Sequence, residues 1–216
     1  MTIRLLIAST NPGKVRELRT LLAELGVEVV TPADIGLDLD VVEDGATFEA
    51  NAVRKARAFA AAGGLPALGD DSGIEVDALG GEPGVYSARW VPGSDADRVA
   101  ALLARLGGVP AEGRTARFRT VAALAVPAAP DADPASGDRA THLVATAAGA
   151  VEGRIAFAPR GDGGFGYDPV FLVEDGGLDG TRTMAELDAG TKNVLSHRGR
   201  AVAGLLPTIA RLALDG

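Results

Sequence analysis

The chain has 216 residues, is 47% hydrophobic and carries a formal net charge of -8. Its length suits one sizeable core, or two lobes that share a sheet. The acidic balance argues against a protein that coats nucleic acid, but it allows a small anionic ligand in a local basic pocket. The absence of cysteine excludes disulfides and thiolate metal sites, and no apolar run reaches the roughly 18 residues of a membrane span. These features predict a soluble, cytoplasmic protein without nucleic-acid or membrane partners.

The first half of the chain predicts alternating strands and helices. Residues 4–8 are typical of a buried strand, and Asn11 can cap a helix that has Pro12 at its first position. A second strand is expected within residues 27–32, which gives a parallel β-α-β unit. Residues 47–62 carry apolar side chains on one face and predict a second helix.

The second half predicts longer strands and two further helices. Residues 66–79 are expected to form two short strands around a turn, and Ser94 to cap a third helix. A last helix is expected at the C-terminal end, where Pro207 should kink or interrupt it. The remaining predicted strands are residues 115–126 and 142–148. This mixture favours an α/β protein with a mixed β-sheet flanked by helices.

The domain organisation is predicted to be simple. The chain shows no internal repeat and no linker, so residues 1–216 are expected to form a single domain. Residues 127–139 are rich in Asp, Pro and Ala, the composition of a solvated hairpin tip. We expect that segment to be mobile.

Lysine is unusually rare in this chain. Only Lys14, Lys55 and Lys192 are present among 21 basic residues, and the other basic residues are arginine. An arginine excess of this kind is typical of a GC-rich coding bias. The three lysines then indicate positions that need a compact ammonium rather than a planar guanidinium, unless they are chance survivors.

The sequence STNPGK, from Ser9 to Lys14, lies between the first strand and the first helix. Backbone N–H groups and the helix dipole favour an anion at such a junction. Ser9, Thr10 and Asn11 add side-chain donors, and Lys14 adds a positive charge. A capped turn with a surface lysine explains the same residues.

Two acidic motifs indicate a metal or phosphate site. Glu43 precedes the second predicted helix, whose Asn51 and Lys55 are four residues apart and therefore share a face. Asp70 and Asp71 are adjacent in a predicted strand end and point to opposite faces, so only one can enter a given site. A carboxylate there suits Mg²⁺. An ordinary solvated helix and a simple Asp-Ser-Gly turn are the alternative interpretations.

Two motifs near the C-terminal end indicate a binding site for a flat ring. In GGFGYDPVF, Phe165 and Tyr167 supply aromatic faces and the glycines allow close approach to the main chain. In TKNVLSHRG, His197 and Arg198 can donate hydrogen bonds to a ring carbonyl. The alternatives are aromatic side chains that fill the core and ordinary polar surface.

Together these motifs resemble the inosine triphosphate pyrophosphatase family, also called the Ham1-like or XTP/dITP diphosphatase family. The matching segments, spread over nearly the whole chain, are the opening S/T-x-N-x-x-K at Ser9 to Lys14, EDGATFEANAVRKA from Glu43 to Ala56, DDSG from Asp70 to Gly73, LGGEPGVYSARW, FGYDPVF, AEL and SHRG. Met184 departs from the family pattern, which usually has an aromatic residue before AEL.

The resemblance implies an elongated mixed β-sheet flanked by helices, in two lobes with a central cleft, and a homodimer. It also implies Mg²⁺-dependent hydrolysis of ITP, dITP and XTP to the nucleoside monophosphate and pyrophosphate, which cleanses the nucleotide pool. A 6-oxo purine accepts a hydrogen bond where adenine has a donor, so a donor-lined pocket would disfavour adenine.

The resemblance assigns a role to each motif. Asp71 would accept the proton of the attacking water, and Glu43 with Asp71 would hold Mg²⁺. The substrate-binding residues would be Ser9, Thr10, Asn11, Pro12, Gly13, Lys14, Lys55, Ser72, Phe165, Gly166, Tyr167, Asp168, Lys192, Ser196, His197 and Arg198. Two alternatives stay open: a Maf-like nucleotide pyrophosphatase with a different base specificity, and a non-catalytic nucleotide-binding module.

Overall fold

The computed structural model describes residues 3–128 and 141–215. The chain divides into two compact units. Unit one comprises Met1–Asp71, Val121–Ala148 and Ala201–Gly216, and unit two comprises Ser72–Thr120 and Gly149–Arg200. The segment predicted to be a mobile tip comprises residues 127–139, and its residues from 129 onward lie outside the described ranges. Within the described ranges, no helix is long and apolar enough to cross a membrane.

The strands form one mixed sheet in the order β2-β1-β3-β4-β5-β6. They are β1 (Arg4–Ile7), β2 (Glu28–Val30), β3 (Ala67–Val76), β4 (Thr115–Pro127), β5 (Thr141–Ile155) and β6 (Phe171–Val173). Strand β1 is parallel to both β2 and β3, whereas β5 and β6 are antiparallel. The predicted α/β class, the mixed sheet and the parallel pairing of the first two strands are confirmed.

Five α-helices accompany the strands in the described ranges: α1 (Pro12–Leu22), α2 (Phe48–Gly63), α3 (Asp95–Arg105), α4 (Ala189–Leu195) and α5 (His197–Asp215). Helices α1 and α3 start at the predicted capping residues, Asn11 and Ser94. The side chain of Asn11 accepts from two backbone N–H groups of α1, and Ser94 forms a capping box with Asp97 on α3. Thr47 caps α2. Short polar side chains therefore fix the helix entries near several predicted motifs.

Alternation along the strands divides the core of unit one. Leu5 and Ile7 of β1 belong to a cluster that includes Leu18 of α1. Leu6 belongs instead to a cluster that includes Phe59 of α2. Successive strand residues point to opposite faces, so α1 and α2 cover opposite sides of β1. Unit two has its own core around β6 and α3.

The prediction of two short strands within residues 66–79 is wrong, because β3 runs unbroken from Ala67 to Val76. The Asp-Ser-Gly sequence from Asp71 to Gly73 is typical of a turn, but here it lies inside the strand. A Cβ at Gly69 would lie 2.7 Å from the Ala52 carbonyl oxygen and from the Ala56 backbone nitrogen on α2. Gly69 therefore permits close helix packing, a common reason for glycine inside a strand.

Two other boundaries differ from the prediction. Strand β5 continues to Ile155, because Gly153 leaves room for the Leu172 carbonyl on the neighbouring β6. Helix α5 continues through Pro207 to Asp215, so the predicted interruption is wrong. Leu205 and Ile209 on either side of the proline are both buried in the core of unit one, and this packing holds the two halves in one helix.

Candidate active site

The predicted site residues fall into two groups, one in each unit. In unit one, a carboxylate–lysine cluster is formed by Glu43, Asn51, Lys55 and Asp71. The Lys55 Nζ atom lies 3.1 Å from Glu43 Oε1 and 3.9 Å from Asp71 Oδ1. Helix α2 supplies Lys55, and the segment before α2 supplies Glu43. Asp71 comes from the middle of β3, where the chain passes from unit one to unit two. One ammonium thus lies between two carboxylates.

Asn51 holds two parts of this cluster together. Its Nδ2 donates to Asp71 Oδ2 at 2.9 Å, and its Oδ1 accepts from the Gly45 backbone nitrogen at 2.8 Å. The side chain is fully buried. Because Gly45 is two residues from Glu43, one amide fixes both the strand carboxylate and the segment that carries the second acid.

The pKa of Asp71 is raised above its ordinary value. Burial is the main cause, and nearby Glu43 adds to it, while Lys55, the Asn51 hydrogen bond and Lys14 lower the pKa by less. Asp71 is only 5% exposed. A buried carboxylate with a raised pKa is a better proton acceptor than a solvated one, and such groups concentrate at catalytic sites.

The Ser9 to Lys14 loop is organised by Asn11. Its Oδ1 accepts from the backbone nitrogens of Gly13 at 2.8 Å and Lys14 at 3.1 Å, so these two donors are occupied. The Lys14 ammonium lies 3.0 Å from Asp70 Oδ2. Asp70 and the neighbouring Asp71 therefore pair with different lysines, as strand alternation requires.

The donor set of the carboxylate–lysine cluster suits a hard divalent cation. Within residues 3–128 and 141–215, no group of three or more His, Cys, Asp and Glu side chains gathers as a metal site. Glu43 and Asp71 offer two carboxylates beside one amine. Magnesium is usually bound by one or two carboxylates, with water and substrate phosphate completing its shell. The two carboxylates therefore fit Mg²⁺ bound together with a phosphate ligand.

In unit two, an aromatic–cation cluster is formed by Phe165, Asp168, Lys192 and Arg198. Asp168 Oδ2 accepts from the Phe165 backbone nitrogen at 2.9 Å and from Lys192 Nζ at 2.7 Å. The Lys192 nitrogen lies 5.2 Å from the centre of the Phe165 ring, and the Arg198 guanidinium carbon 5.6 Å from it. Two cations therefore lie near one partly exposed ring.

The two aromatic residues of the glycine-rich motif have different environments. Phe165 is partly exposed, whereas Tyr167 is 4% exposed and belongs to the core of unit two. The Tyr167 hydroxyl donates to the Ser87 carbonyl at 3.0 Å. Burial raises the pKa of Tyr167 to about 12. The core interpretation of this motif therefore describes Tyr167, whereas the binding role of Phe165 stays a prediction.

The SHRG segment lies at the start of α5 and is buried. Ser196 Oγ accepts from the Gly199 backbone nitrogen at 3.0 Å, as a helix cap does. The His197 ring stacks on Phe118, with 4.8 Å between ring centres. Arg198 Nη2 donates to Ser72 Oγ at 3.0 Å. These contacts fix the position of each side chain. The predicted binding roles of Ser72, Ser196, His197 and Arg198 stay predictions.

Each of the three lysines pairs with a carboxylate: Lys14 with Asp70, Lys55 with Glu43 and Asp71, and Lys192 with Asp168. All three side chains are at most 15% exposed. They are therefore not solvated surface residues that arginine could replace freely. The paired positions agree with the interpretation that lysine is kept where a compact charge is needed.

Several of the organising residues were not among the predicted site residues. Asn51 had a signal, since it precedes Lys55 by one helical turn. Asp70 had one in strand alternation, which directs it away from Asp71. Asp95 at the start of α3 had none. Its carboxylate accepts from the Gly166 backbone nitrogen at 2.7 Å, a contact between residues 71 positions apart.

The fold defines an α/β protein with a carboxylate–lysine cluster in one unit and an aromatic–cation cluster in the other. The chain belongs to the Ham1 family, whose model matches residues 5–208. It is 54% identical over 216 residues to a dITP/XTP pyrophosphatase of Symbiobacterium thermophilum, covering 99% of this chain and 98% of the relative. It is 47% identical over 242 residues to one of Anaeromyxobacter dehalogenans, covering 97% and 98%.

Solved structures give the same family. A HAM1 protein from Coxiella burnetii is similar with a TM-score of 0.77 and 37% identity, covering 97% of this chain and 100% of that one. A nucleoside-triphosphatase or dITP/XTP pyrophosphatase from Mycobacterium abscessus has a TM-score of 0.66 and 44% identity, covering 95% and 100%. The resemblance stated from the motifs is therefore confirmed at the level of the family.

Proposed function

We propose that this protein is a nucleoside triphosphate pyrophosphatase that hydrolyses dITP, XTP and ITP to the nucleoside monophosphate and pyrophosphate. The observation that carries the proposal is the buried carboxylate of Asp71, held by Asn51 beside Lys55 and Glu43. Membership of the Ham1 family and the named activity of its relatives support the substrate class. The proposed role is to remove deaminated purine nucleotides from the nucleotide pool.

Asp71 accepts the proton of the attacking water in this proposal. The water oxygen bonds to the α-phosphorus, the bridge to the β-phosphorus breaks, and pyrophosphate leaves. The burial of the Asp71 carboxylate and its hydrogen bond from Asn51 support the assignment, because a general base must be held in a fixed position. The hydrogen bond from Asn51 Nδ2 to Asp71 Oδ2 holds the carboxylate in its orientation.

Glu43 and Asp71 hold Mg²⁺ in this proposal. The metal ion would offset negative charge on the phosphates and on the leaving pyrophosphate. Lys55 lies between the two carboxylates, and in this proposal its ammonium would contact a phosphate oxygen. Lys14 and the loop from Ser9 to Gly13 bind the rest of the triphosphate, chiefly through the Lys14 ammonium and the hydroxyl groups of Ser9 and Thr10, with Asp70 keeping the Lys14 ammonium in position.

The aromatic–cation cluster binds the base in this proposal. Phe165 offers a ring face, and Lys192, His197 and Arg198 offer donors to the 6-oxo group of hypoxanthine or xanthine. Adenine carries a donor at that position, so it would leave a buried donor without a partner at a cost of about 1–3 kcal/mol. Asp168 and Ser72 hold the Lys192 and Arg198 side chains through hydrogen bonds. The remaining predicted substrate residues next to this cluster are Gly166, Tyr167 and Ser196.

The resemblance also implies a cytoplasmic homodimer, which we include in the proposal. Light scattering coupled to size-exclusion chromatography measures the assembly directly. A mass of one 21.9 kDa chain at micromolar concentration would contradict the dimer.

A substrate panel tests the proposed function. Pyrophosphate and orthophosphate release are measured separately for ITP, dITP, XTP, GTP, ATP and a set of modified pyrimidine triphosphates, with and without Mg²⁺. We expect Mg²⁺-dependent pyrophosphate release that is greatest for the 6-oxo purines ITP, dITP and XTP. Preference for pyrimidines would support a Maf-like specificity instead. Tight ITP binding without turnover would support a non-catalytic module.

A further inference from the structure

The loop that carries Phe165 contains glycines that can adopt many backbone conformations. Gly164 has a φ of +76° and Gly166 a φ of +62°, so a glycine with a left-handed backbone lies on either side of the aromatic residue. Glycine costs more conformational entropy to order than any other residue. The orientation of the Phe165 ring therefore depends on hydrogen bonds that fasten this loop to rigid parts of unit two.

One of these bonds comes from Asp95, at the first position of α3. Its Oδ2 accepts from the Gly166 backbone nitrogen at 2.7 Å, and its Oδ1 lies 2.5 Å from Arg98 Nη2. Arg98 Nη1 also donates to the Gly93 carbonyl at 2.9 Å. Both carboxylate oxygens of Asp95 thus have a defined partner, and the bond to Gly166 is charge-assisted.

The support behind Asp95 is rigid. Helix α3 is anchored by Val99 and Leu102, which are buried in the core of unit two. Burial raises the pKa of Asp95, but the bonds from Arg98 and Gly166 outweigh it and leave the pKa below its ordinary value. The carboxylate is therefore ionised at neutral pH, which keeps the bond to the Gly166 N–H strong.

We propose that Asp95 is a positioning residue for base recognition, which fixes the Phe165 loop through the Gly166 N–H without contacting the substrate. This inference rests on the proposed function, which assigns Phe165 to the base. Other bonds hold the ends of the loop, namely Phe165 N–H to Asp168 and Tyr167 O–H to the Ser87 carbonyl. Asp95 is the link between α3 and the residue directly after Phe165.

Asp97 provides a matched control. It lies in the same first turn of α3, is exposed like Asp95, and accepts from the Ser94 backbone nitrogen at 2.7 Å. Removing either carboxylate takes one negative charge from the same helix N-terminus. Among the contacts described for these two residues, only the Asp95 carboxylate bonds to the Phe165 loop.

The experiment compares Asp95→Ala, Asp95→Asn and Asp97→Ala. For Asp95→Ala we expect KM for dITP and XTP to rise about tenfold with kcat little changed, a factor that corresponds to about 1.4 kcal/mol. Asp95→Asn retains an acceptor oxygen and should give an intermediate KM. Amide hydrogen exchange at Gly166 should accelerate in Asp95→Ala alone. Asp97→Ala should lower Tm while leaving KM and Gly166 exchange unchanged.

Three results would overturn the inference. They are an unchanged KM in Asp95→Ala, an equal rise of KM in Asp97→Ala, and faster Gly166 exchange without any change of KM. Loss of the proposed function would look different, because the wild-type protein itself would then fail to hydrolyse dITP, XTP and ITP.

Discussion

The carboxylate–lysine cluster of unit one and the aromatic–cation cluster of unit two use the same kind of pair in different ways. In unit two, Lys192 and Asp168 form a close pair at 2.7 Å, and Asp168 also binds the backbone of the adjacent loop. In unit one, Lys55 lies between two carboxylates, and the pKa of Asp71 is raised. The Lys192–Asp168 pair of unit two fixes geometry, whereas burial in unit one keeps the pKa of Asp71 raised.

This difference is consistent with the proposed roles, catalysis for the carboxylate–lysine cluster and base recognition for the aromatic–cation cluster. A closed ion pair with every partner in place resists a change of charge state. A buried carboxylate disfavoured in its charged form is ready to accept a proton. The comparison therefore predicts different consequences when equivalent residues of the two clusters are changed.

The largest effect is expected for Asp71→Asn. Removing the proton acceptor, which is also a proposed metal ligand, should lower kcat by about 10³-fold or more. Pyrophosphate release from dITP under saturating Mg²⁺ measures it. Asp44→Asn is the control, because Asp44 is exposed and pairs with Arg54 outside the cluster. Near-normal turnover in Asp71→Asn would remove the basis for assigning the base.

The same variant tests the electrostatic cost of Asp71. Since its pKa is raised in the folded state, the folded protein binds this proton more tightly than the unfolded chain, and stability falls as pH rises above about 4 through the raised pKa. Without divalent cations, Asp71→Asn should therefore have a higher Tm than the wild type at pH 7. The difference should shrink on acidification. A lower Tm at pH 7 would mean that the charged form is favoured.

The next effect separates the two clusters by specificity. Lys192→Ala should reduce the preference for ITP over ATP more than Lys14→Ala does, because Lys192 belongs to the proposed base site and Lys14 to the phosphate loop. The measurement is the ratio of kcat/KM values for the two substrates. Lys192→Ala also deprives the buried Asp168 carboxylate of its positively charged partner. Lys192→Arg keeps a positive charge at this position and controls for that loss. Equal loss of preference in both alanine variants would argue against separate roles.

A smaller effect is expected for Asn51→Ala. Losing the bonds to Asp71 and to the Gly45 backbone should lower kcat by about tenfold, as expected for loss of a hydrogen bond to a charged group. KM for dITP should change less, since Asn51 is buried and Asp71 acts on the water. Steady-state kinetics of the folded variant measure both. A pure KM effect would contradict the positioning role.

The smallest effect is spectroscopic and concerns unit two. Tyr167 is expected to ionise only near pH 12, because it is buried and its hydroxyl donates to the Ser87 carbonyl. In Tyr86→Phe, Tyr167 is the one tyrosine of the chain, so phenolate absorbance reports it alone. A transition near pH 10 in folded protein would show that this part of unit two is open to water.

The sequence predicted the elements that local chemistry determines. Caps such as Asn11 and Ser94 act within a few residues, so their helix starts follow from spacing. The Asp-Ser-Gly stretch misled the prediction, because strand pairing and the packing of α2 against Gly69 of β3 are contacts that spacing does not reveal. Phe165 and Tyr167 looked equivalent, but the long-range bond to Ser87 makes one of them a core residue.

The candidate site was predictable where family motifs carry it and not where tertiary contacts complete it. Glu43, Lys55 and Asp71 lie in motifs, and Asn51 shares a helix face with Lys55. Asp95 bonds to a backbone nitrogen 71 residues away. A backbone N–H donor has no residue-type signature in the sequence, so this contact could be found only in the folded chain.

The central claim is that water attacks the α-phosphorus of a 6-oxo purine triphosphate. Hydrolysis of dITP in water labelled with heavy oxygen, followed by mass spectrometry of the products, tests it most directly. The account predicts dIMP and pyrophosphate, with the label in dIMP. Label in pyrophosphate, or formation of dIDP and orthophosphate, would contradict it.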